Sequence, residues 1–274
     1  MIHMSDDFAT FEHEGWQRVA NKYDSTWSRS TRQFIPPLLD LAEVAAGMKI
    51  LDVGCGPGYV AAAAAERAAE VTGIDFSSEM VSIAKTLFPR LSFQVGDAQQ
   101  LPFADASFDR VLTSFALLHV SDPERACAEA CRVLRSSGKL GFTVWAPPDV
   151  NPYARVVDEA LDAHADLNVS LPAGPSHYVY SDEGAFRIAM ERAGFRPESM
   201  ALKLHTIEWN VPSVDFVFEA ERFAGVRTAG LLAKQSPAAL EKIRQAIAVG
   251  LKPYARGDGY AIPKAAYVVA VTKP

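Results

Sequence analysis

The sequence predicts an α/β fold, in which helices cover both faces of a mostly parallel sheet. Short runs of apolar and β-branched residues alternate with helical stretches through the first half of the chain. Glycines cluster where the first of these runs ends, and helical segments separate the runs of the second half. Because strands that alternate with helices form parallel sheets through right-handed crossovers, we expect three layers, together with helical insertions that form a cap.

The predicted strands of the first half are short apolar or β-branched runs. They are residues 49–53, 70–74, 91–95, 110–114 and 139–145. Helices are expected between them at residues 59–69, 78–87 and 123–134. Ser121 and Glu124 have the spacing of a capping box, and Pro123 suits a first turn, so the last of these helices has a defined start.

Both ends of the chain add elements to this unit. Trp16, Val19, Ala20 and Tyr23 recur at helical spacing, and a second helix is expected at 34–44. After Trp145, prolines break the pattern. Helices are then predicted at 153–165, 186–193 and 237–249, and strands at 202–211 and 265–272.

Composition limits the partners and the compartment. The 274 residues carry 33 acidic and 27 basic side chains, a formal charge of −6, so no basic surface is expected for nucleic acid. No apolar stretch approaches the ~18 residues of a membrane span, and the N-terminus does not resemble a secretory signal. Three cysteines favour a reducing, cytoplasmic compartment. Cys127 and Cys131 lack a nearby histidine, so we interpret them as buried thiols and expect no metal site.

The glycine-rich loop is the sharpest motif. Residues 51–58 read LDVGCGPG, so Gly54, Gly56 and Gly58 follow a strand and precede a helix. Glycines at this place let backbone amides approach a ligand at the carboxyl end of the strands. The spacing differs from the dinucleotide fingerprint, and no Lys-Ser/Thr pair follows to bind a triphosphate.

Two aspartates follow the next strands in register with this loop. Asp75 ends the second predicted strand, where its carboxylate can accept hydrogen bonds from both hydroxyls of a ribose. Asp97 follows the third strand, where it can accept a hydrogen bond from an exocyclic adenine amine while the Ala98 amide meets the ring. Either aspartate alone could equally cap a helix, so their shared register with the glycines carries the argument.

These motifs resemble those of the class I S-adenosylmethionine-dependent methyltransferases. The similarity runs from about residue 48 to 145, through LDVGCGPG, VTGIDFSSEM and VGDAQQLPF, and more weakly through the terminal YVVAVTK. Within the class, the chain is most similar to the small-molecule branch that includes ubiquinone and menaquinone biosynthetic C-methyltransferases. The resemblance implies a Rossmann-like sheet of seven strands whose last strand, 265–272, is antiparallel.

The resemblance also implies a set of S-adenosylmethionine-binding residues. Residues 54–58 would receive the methionine moiety, Asp75 the ribose, and Asp97 with Ala98 the adenine. Phe76 and Met80 would flank the adenine ring. Ser114 and Phe115 would line the methionine end, and Tyr23 and Arg32 would cover the cofactor from the N-terminal segment. By number, the expected cofactor residues are Tyr23, Arg32, Gly54, Cys55, Gly56, Gly58, Asp75, Phe76, Met80, Asp97, Ala98, Ser114 and Phe115.

The domain organisation follows from the same resemblance. N-terminal helices that cover the cofactor site are expected at 1–46, and the S-adenosylmethionine-binding core at 47–146. A cap and substrate region with one core strand is expected at 147–264, before the final core strand at 265–274.

Methyl transfer from a sulfonium mainly requires a nucleophile held in line and protected from water. His119, just past the fourth predicted strand, is the candidate base for a phenol or enol acceptor. His177 and Tyr178 in the cap loop are rivals, and a capping or packing role for His119 remains the simpler alternative.

We therefore expect a methyltransferase acting on a small organic acceptor through oxygen, carbon or nitrogen. The sequence after the fourth strand, Thr113 to Ala116, differs from the D/N-P-P-Y/F motif of nucleic-acid amino methylation, and no cysteine follows a proline. Aromatic residues of the cap fit either a core or an apolar acceptor pocket. Two alternatives stay open: an NAD(P)-dependent oxidoreductase on the same fold, and a non-catalytic S-adenosylmethionine-binding protein. The oligomeric state is not predicted.

Overall fold

A computed structural model describes residues 7–178, 180 and 182–274. Its strands are β1 (Lys49–Val53), β2 (Glu70–Asp75), β3 (Ser92–Val95), β4 (Phe108–Ser114), β5 (Leu134–Trp145), β6 (Arg196–Val211), β7 (Ala255–Arg256) and β8 (Gly259–Thr272). Its α-helices are α1 (Asp7–Ser25), α2 (Ser28–Thr31), α3 (Ile35–Leu41), α4 (Tyr59–Glu66), α5 (Ser78–Leu87), α6 (Pro123–Val133), α7 (Pro152–His164), α8 (Glu183–Arg192), α9 (Val214–Phe223), α10 (Arg227–Ala233) and α11 (Pro237–Leu251).

The sheet has the predicted, mostly parallel topology. The strand order is β3-β2-β1-β4-β5-β8-β6, and β1 to β5 are mutually parallel. Strand β8 lies antiparallel between β5 and β6, which confirms the expected antiparallel last strand. The seven-stranded path gains one short addition, because β7 forms a two-residue hairpin with the start of β8. Parallel strands bring the carboxyl ends of β1, β2 and β4 to one edge, where the predicted site residues lie.

Several element boundaries differ from the prediction for local reasons. Helix α4 ends at Glu66 instead of residue 69, because Ala68 has a positive φ of 59° that breaks the helix. Strand β8 begins at Gly259 instead of residue 265. Pro263 and Lys264 interrupt the apolar pattern of the sequence, but in the structure both residues pair with β6. Strand β6 likewise starts before the predicted residue 202.

The predicted capping box of α6 is wrong. Asp122 is the N-cap residue, and its carboxylate accepts a hydrogen bond from Arg125 N–H at 2.9 Å. Pro123 occupies the first helical turn, which fixes the cap at the residue before it. Ser121 instead donates to Gln99 Oε1 at 3.0 Å and ties this turn to the loop after β3.

Helices cover both faces of the sheet, so its strands are buried on both sides. Ile50 packs with α3 and α4 on one face, whereas the next residue, Leu51, packs with α6 and α8 on the other. Helix α5 shares the first face through Val81 and Ala84. This alternation follows from the two-residue period of a strand and confirms the three-layer architecture.

The cap is built on the C-terminal half of β6 and the N-terminal half of β8. Helices α7, α9 and α11 pack there around Trp209, Phe218 and Ile262. Of the other cap aromatics, Phe216 and Tyr254 are half-buried against this cluster, and Phe223 is exposed. The cluster reaches Phe34 and Phe115, so the cap is packed against the carboxyl edge of the sheet.

Gly58 shows why the glycine loop must turn as it does. It is the N-cap residue of α4 with a φ of +87°, and a Cβ atom there would lie 2.8 Å from Phe93 Cζ. Its backbone therefore packs directly against β3, and only glycine satisfies both requirements.

We expect Gly58→Ala to lower the free energy of unfolding by about 2 kcal/mol, because strain at a positive φ adds to the contact with Phe93. Urea unfolding measures this change. Gly257→Ala is the matched control, since Gly257 has a φ of +58° with no atom near its Cβ position and should lose only about 1 kcal/mol. Equal losses in the two variants would show that the contact with Phe93 contributes nothing.

Candidate functional site

A cavity of about 1040 Å³ opens between the carboxyl edge of the sheet, α1 and the cap. Its volume is at the upper end of the roughly 300–1,000 Å³ that is typical of ligand pockets. All but one of the residues predicted for the site line it: Tyr23, Arg32, Gly54, Cys55, Gly56, Asp75, Phe76, Met80, Asp97, Ala98, Ser114, Phe115 and His119. The exception is Gly58, which faces Phe93.

The glycine loop exposes its backbone to the cavity, because no side chain fills the space beside Gly56. Gly54 and Gly56 have φ values of 66° and 50°, and a Cβ atom on Gly56 would meet no other atom within 4 Å. Beneath the loop, Asp52 Oδ2 accepts a hydrogen bond from Ala61 N–H at 3.0 Å. Burial raises the pKa of Asp52 to about 7. This side chain, which the sequence did not single out, supports the start of α4.

Asp75 joins the ends of two strands at the cavity. Its carboxylate accepts hydrogen bonds from Gly56 N–H at 2.8 Å and Ser77 N–H at 2.9 Å. Burial raises the pKa of Asp75 to about 6, although the two amides and the charge of His119 act in the opposite direction. A carboxylate has more lone pairs than these two amides use, so Asp75 keeps acceptor capacity toward the cavity.

The other residues that the resemblance assigns to the nucleoside follow β2 and β3. Asp97 Oδ1 accepts a hydrogen bond from Gln99 N–H at 2.8 Å, which fixes the turn that carries Ala98. Phe76 is half-buried with its ring edge-on to His13, and Met80 is buried at the start of α5. An aromatic ring and a thioether thus stand next to the two aspartates.

The opposite end of the cavity is shaped by the carboxyl ends of β4 and β5. Ser114 Oγ lies 3.1 Å from Thr143 Oγ1, and the Phe115 amide donates to the Thr143 carbonyl at 3.1 Å. Phe115 has a φ of +54° and stacks on Trp145 with ring centroids 4.0 Å apart. The positive φ of a non-glycine residue here turns an aromatic wall toward the cap.

The N-terminal helices lie over this edge. Gln17 of α1 accepts hydrogen bonds from Ser77 Oγ at 2.7 Å and from Glu79 N–H at 3.0 Å, so α1 is fixed to the start of α5. Tyr23 lies 3.2 Å from Thr31 through their hydroxyls. The Arg32 guanidinium stacks over the Tyr59 ring at 4.0 Å.

His119 is paired with a carboxylate that the sequence did not identify. Its Nδ1 lies 3.0 Å from Oε2 of Glu12, a fully buried residue of α1. Trp16 donates to the same oxygen at 3.1 Å, and its ring meets the His119 ring edge-on. Nothing in the sequence around Glu12 indicates this role, since only the docking of α1 on the sheet buries it.

The two rivals in the cap loop also line the cavity. His177 is exposed and packs edge-on against Tyr178. The Tyr178 hydroxyl donates to Asp158 Oδ2 of α7 at 2.8 Å. Both side chains stand at the cap wall, and His119 stands at the wall formed by α1.

Lys264 is the second functional candidate that the sequence did not identify. It is 1 % exposed, and its Nζ lies 4.1 to 4.6 Å from the centroids of four aromatic rings. The rings belong to Trp27, Trp145, Tyr153 and Trp209, and we call this arrangement the lysine box. Three of the four rings and Lys264 line the cavity. Lys264 shares its strand face with the buried Ile262 and Ala266, an alternation that could have revealed it.

The electrostatics of the lysine box depend on burial. Burial lowers the pKa of Lys264 to about 7, while the charge of Glu221 acts in the opposite direction. Burial also raises the pKa of Glu221, whose Oε1 accepts a hydrogen bond from the Tyr153 hydroxyl at 2.6 Å. The buried amine therefore loses its proton more readily than an exposed lysine does.

Comparison with known proteins decides the family. A family model described as a methyltransferase domain matches residues 51–142. A demethylmenaquinone methyltransferase of Renibacterium salmoninarum is 37% identical over 173 residues, which are 60% of this chain and 72% of that protein. The chain belongs to the class I S-adenosylmethionine-dependent methyltransferases. It is therefore an enzyme, its reaction is methyl transfer, and its cofactor is S-adenosylmethionine, so the oxidoreductase and non-catalytic alternatives are set aside.

Solved structures of this methyltransferase fold agree with the observed topology. YcgJ of Bacillus subtilis matches with a TM-score of 0.55 and 20% identity, covering 88% of this chain and 98% of that one. A Haemonchus contortus phosphoethanolamine N-methyltransferase 2 bound to S-adenosylhomocysteine matches with a TM-score of 0.52 and 21% identity, covering 88% and 52%. Within the described part of the methyltransferase, no helix has the length and apolar character needed to cross a membrane.

We expect the lysine box to report its own protonation through tryptophan emission. Below about pH 7, Lys264 is an ammonium that polarises the neighbouring indoles. Above that pH, Lys264 is a neutral amine. Tryptophan emission should therefore change with a midpoint near pH 7. The transition should be absent in Lys264→Met and present in Lys203→Met, an exposed lysine of β6. An unchanged transition in Lys264→Met would assign it to another group.

Proposed function

We propose that the chain binds S-adenosylmethionine across the carboxyl edge of β1, β2 and β4, with the residues expected from the sequence. The supporting observation is the Asp75 carboxylate, which faces the cavity between the glycine loop and α5 while keeping free lone pairs. The open space at Gly56 fits a ligand that lies against the backbone. Asp75 binds the ribose hydroxyls, and Asp97 with Ala98 binds the adenine edge.

The remaining proposed contacts follow the direction of the cavity. Phe76 and Met80 flank the adenine, and residues 54–56 with Ser114 and Phe115 receive the methionine moiety. Tyr23 and Arg32 close the site from above. Gly58 acts through the loop backbone and packing, without touching the ligand. The N-terminal helices within 1–46 thus cover the core of 47–146, and the region 147–264 supplies the acceptor side before the final strand.

The acceptor is a small, partly apolar organic molecule that enters between α1 and the cap. The aromatic lining at Phe115, Trp145 and Tyr153 supports an apolar ligand, and the negative net charge gives no basis for binding phosphate backbones. Relatives named demethylmenaquinone methyltransferase support an apolar acceptor of the quinone type. We place the reaction in the cytoplasm, as the cysteine content suggests.

His119 takes the proton that the acceptor loses. The cofactor supplies an activated methyl group, so the chain must orient the acceptor, exclude water and accept this proton. With Nδ1 held by the Glu12 carboxylate, the imidazole has its tautomer fixed and leaves Nε2 as the proton acceptor. Glu12 is a positioning residue, since it acts through His119.

We expect methyl label from the cofactor to appear in a small-metabolite fraction. The experiment offers labelled S-adenosylmethionine to the enzyme with RNA, DNA, protein extract and small metabolites separately, and follows label and S-adenosylhomocysteine. The aromatic lining of the cavity and the negative net charge predict transfer only to the last fraction. Label found mainly in a macromolecular fraction would refute the proposed acceptor class.

We expect Asp75→Asn to weaken cofactor binding at least tenfold by isothermal titration. A carboxylate accepts charge-assisted hydrogen bonds worth about 1.5–3 kcal/mol each, and the amide cannot accept both. Asp162→Asn, at an exposed position of α7, is the control and should bind normally. In the native enzyme, affinity should fall as the pH drops through about 6, where Asp75 becomes protonated. If Asp75→Asn bound the cofactor with unchanged affinity, Asp75 would have only a structural role in its turn.

We expect His119→Gln to lower kcat about a hundredfold, because the proton acceptor is lost. The substrate of this assay is the metabolite fraction that accepts the methyl label. Glu12→Gln should lower kcat less and shift the pH profile, since it alters only the partner of His119. Cofactor affinity should stay within twofold in both variants. His164→Gln, at the exposed end of α7, should behave as the native enzyme. If the kcat of His119→Gln equalled that of the native enzyme, His119 would not be the proton acceptor.

A further inference from the structure

The lysine box places a buried amine at the wall of the acceptor side. Lys264 Nζ donates one hydrogen bond, to Ser30 Oγ at 3.4 Å, whereas an ammonium has three donors. None of the ion pairs found among the described residues, with a limit of 4.0 Å, includes Lys264. The amine therefore lines the cavity with unused donors and without a direct counter-ion.

The surrounding groups suit a side chain that changes its charge. Four aromatic faces stabilise a cation without neutralising it, and they also tolerate a neutral amine. Glu221 of α9 is the carboxylate whose charge acts on the amine, and it is engaged by the hydroxyl of Tyr153, itself a titratable member of the box. Asp158 of α7 acts on Glu221 and is engaged by Tyr178. His177 and Arg227 also line the cavity. None of them pairs directly with the amine.

We propose that the lysine box is the head-group subsite of the acceptor, and that it takes an acidic oxygen of the acceptor, a phenol, enol or carboxylic acid, as its anion. This inference rests on the proposed acceptor site. For a phenol or enol, the O–H proton of this head group moves to the neutral amine and forms a phenolate or enolate beside the ammonium, and His119 takes the separate proton that is lost from the methylated atom. A carboxylate arrives already ionised, so the amine takes its proton from solvent. In both cases one proton and one positive charge are gained by Lys264.

The position of the box fits this role. Trp145 is a wall of the box and also stacks on Phe115, the residue at the end of β4. A head group bound by Lys264 is thus held one aromatic ring away from the proposed methionine end of the cofactor site. Burial keeps the pKa of Lys264 near neutrality, so the amine can gain a proton when an anion arrives.

The first test uses 4-nitrophenol, which is yellow as the phenolate and colourless as the phenol. One pH unit below the pKa of the free phenol, the probe bound to native enzyme should be yellow. Lys264→Met should bind it without colour, and Lys264→Gln, which keeps an N–H donor but cannot gain a proton, should do the same. Lys203→Met should match the native enzyme. A bound probe that stays colourless, or equal colour in Lys264→Met, would overturn the proposal.

The second test uses benzoate and measures proton uptake by calorimetry in two buffers of different ionisation enthalpy. One pH unit above the Lys264 transition, binding should take up close to one proton in the native enzyme and none in Lys264→Gln. Binding of one probe alone identifies the acidic group as phenolic or carboxylic. Failure of both probes to bind would overturn the proposal.

Two readouts separate this proposal from its alternatives. If Lys264 served only to stabilise the packing of the cap, Lys264→Met would have a lower melting temperature than the native enzyme. The head-group role predicts an equal or higher melting temperature, because an apolar side chain replaces a buried amine. Probe binding requires no methyl transfer. If the probes behave as expected but no metabolite is methylated, the proposed function fails while the subsite stands.

Discussion

The buried Asp75 carboxylate is the constraint on which the site depends. Removing a carboxylate from water is costly, and the amides of Gly56 and Ser77 offset that cost by donating to it. The first amide requires the positive φ of the glycine loop. The second holds Ser77 where its hydroxyl caps α5 and donates to Gln17 of α1. The loop, the next helix and the N-terminal cover are therefore all fixed around one side chain.

The grouping of the residues proposed to bind the cofactor was predictable because its determinants are local. Gly54, Asp75, Asp97 and Ser114 follow strands whose apolar runs are evident in the sequence, and parallel strands bring their carboxyl ends together. Knowing the strand ends was therefore enough to group these residues. The same local logic failed at Ser121, because a single proline decides which neighbour caps α6.

The proposed acceptor side was not predictable, because its determinants are tertiary. Glu12 and Lys264 are charged residue types that are rarely buried, and sequence patterns assign such residues to the surface. Glu12 is buried only when α1 docks on the sheet. Lys264 is buried only when Trp27, just before α2, and the aromatic residues of β5, α7 and β6 surround one position of β8. The signal for Lys264 was its place in an apolar alternation, which Pro263 obscured.

The two halves also hold their ionisable groups by different means, which has a consequence for specificity. Backbone amides hold Asp75, so the cofactor site depends on the fold itself. Side chains of distant elements hold His119 and Lys264, one by a carboxylate and the other by aromatic faces. A substitution at Glu12, Trp27 or Tyr153 therefore alters the charge presented to the acceptor without touching the sheet or the glycine loop. The acceptor side can thus change its chemistry while the methyl-donor side stays constant.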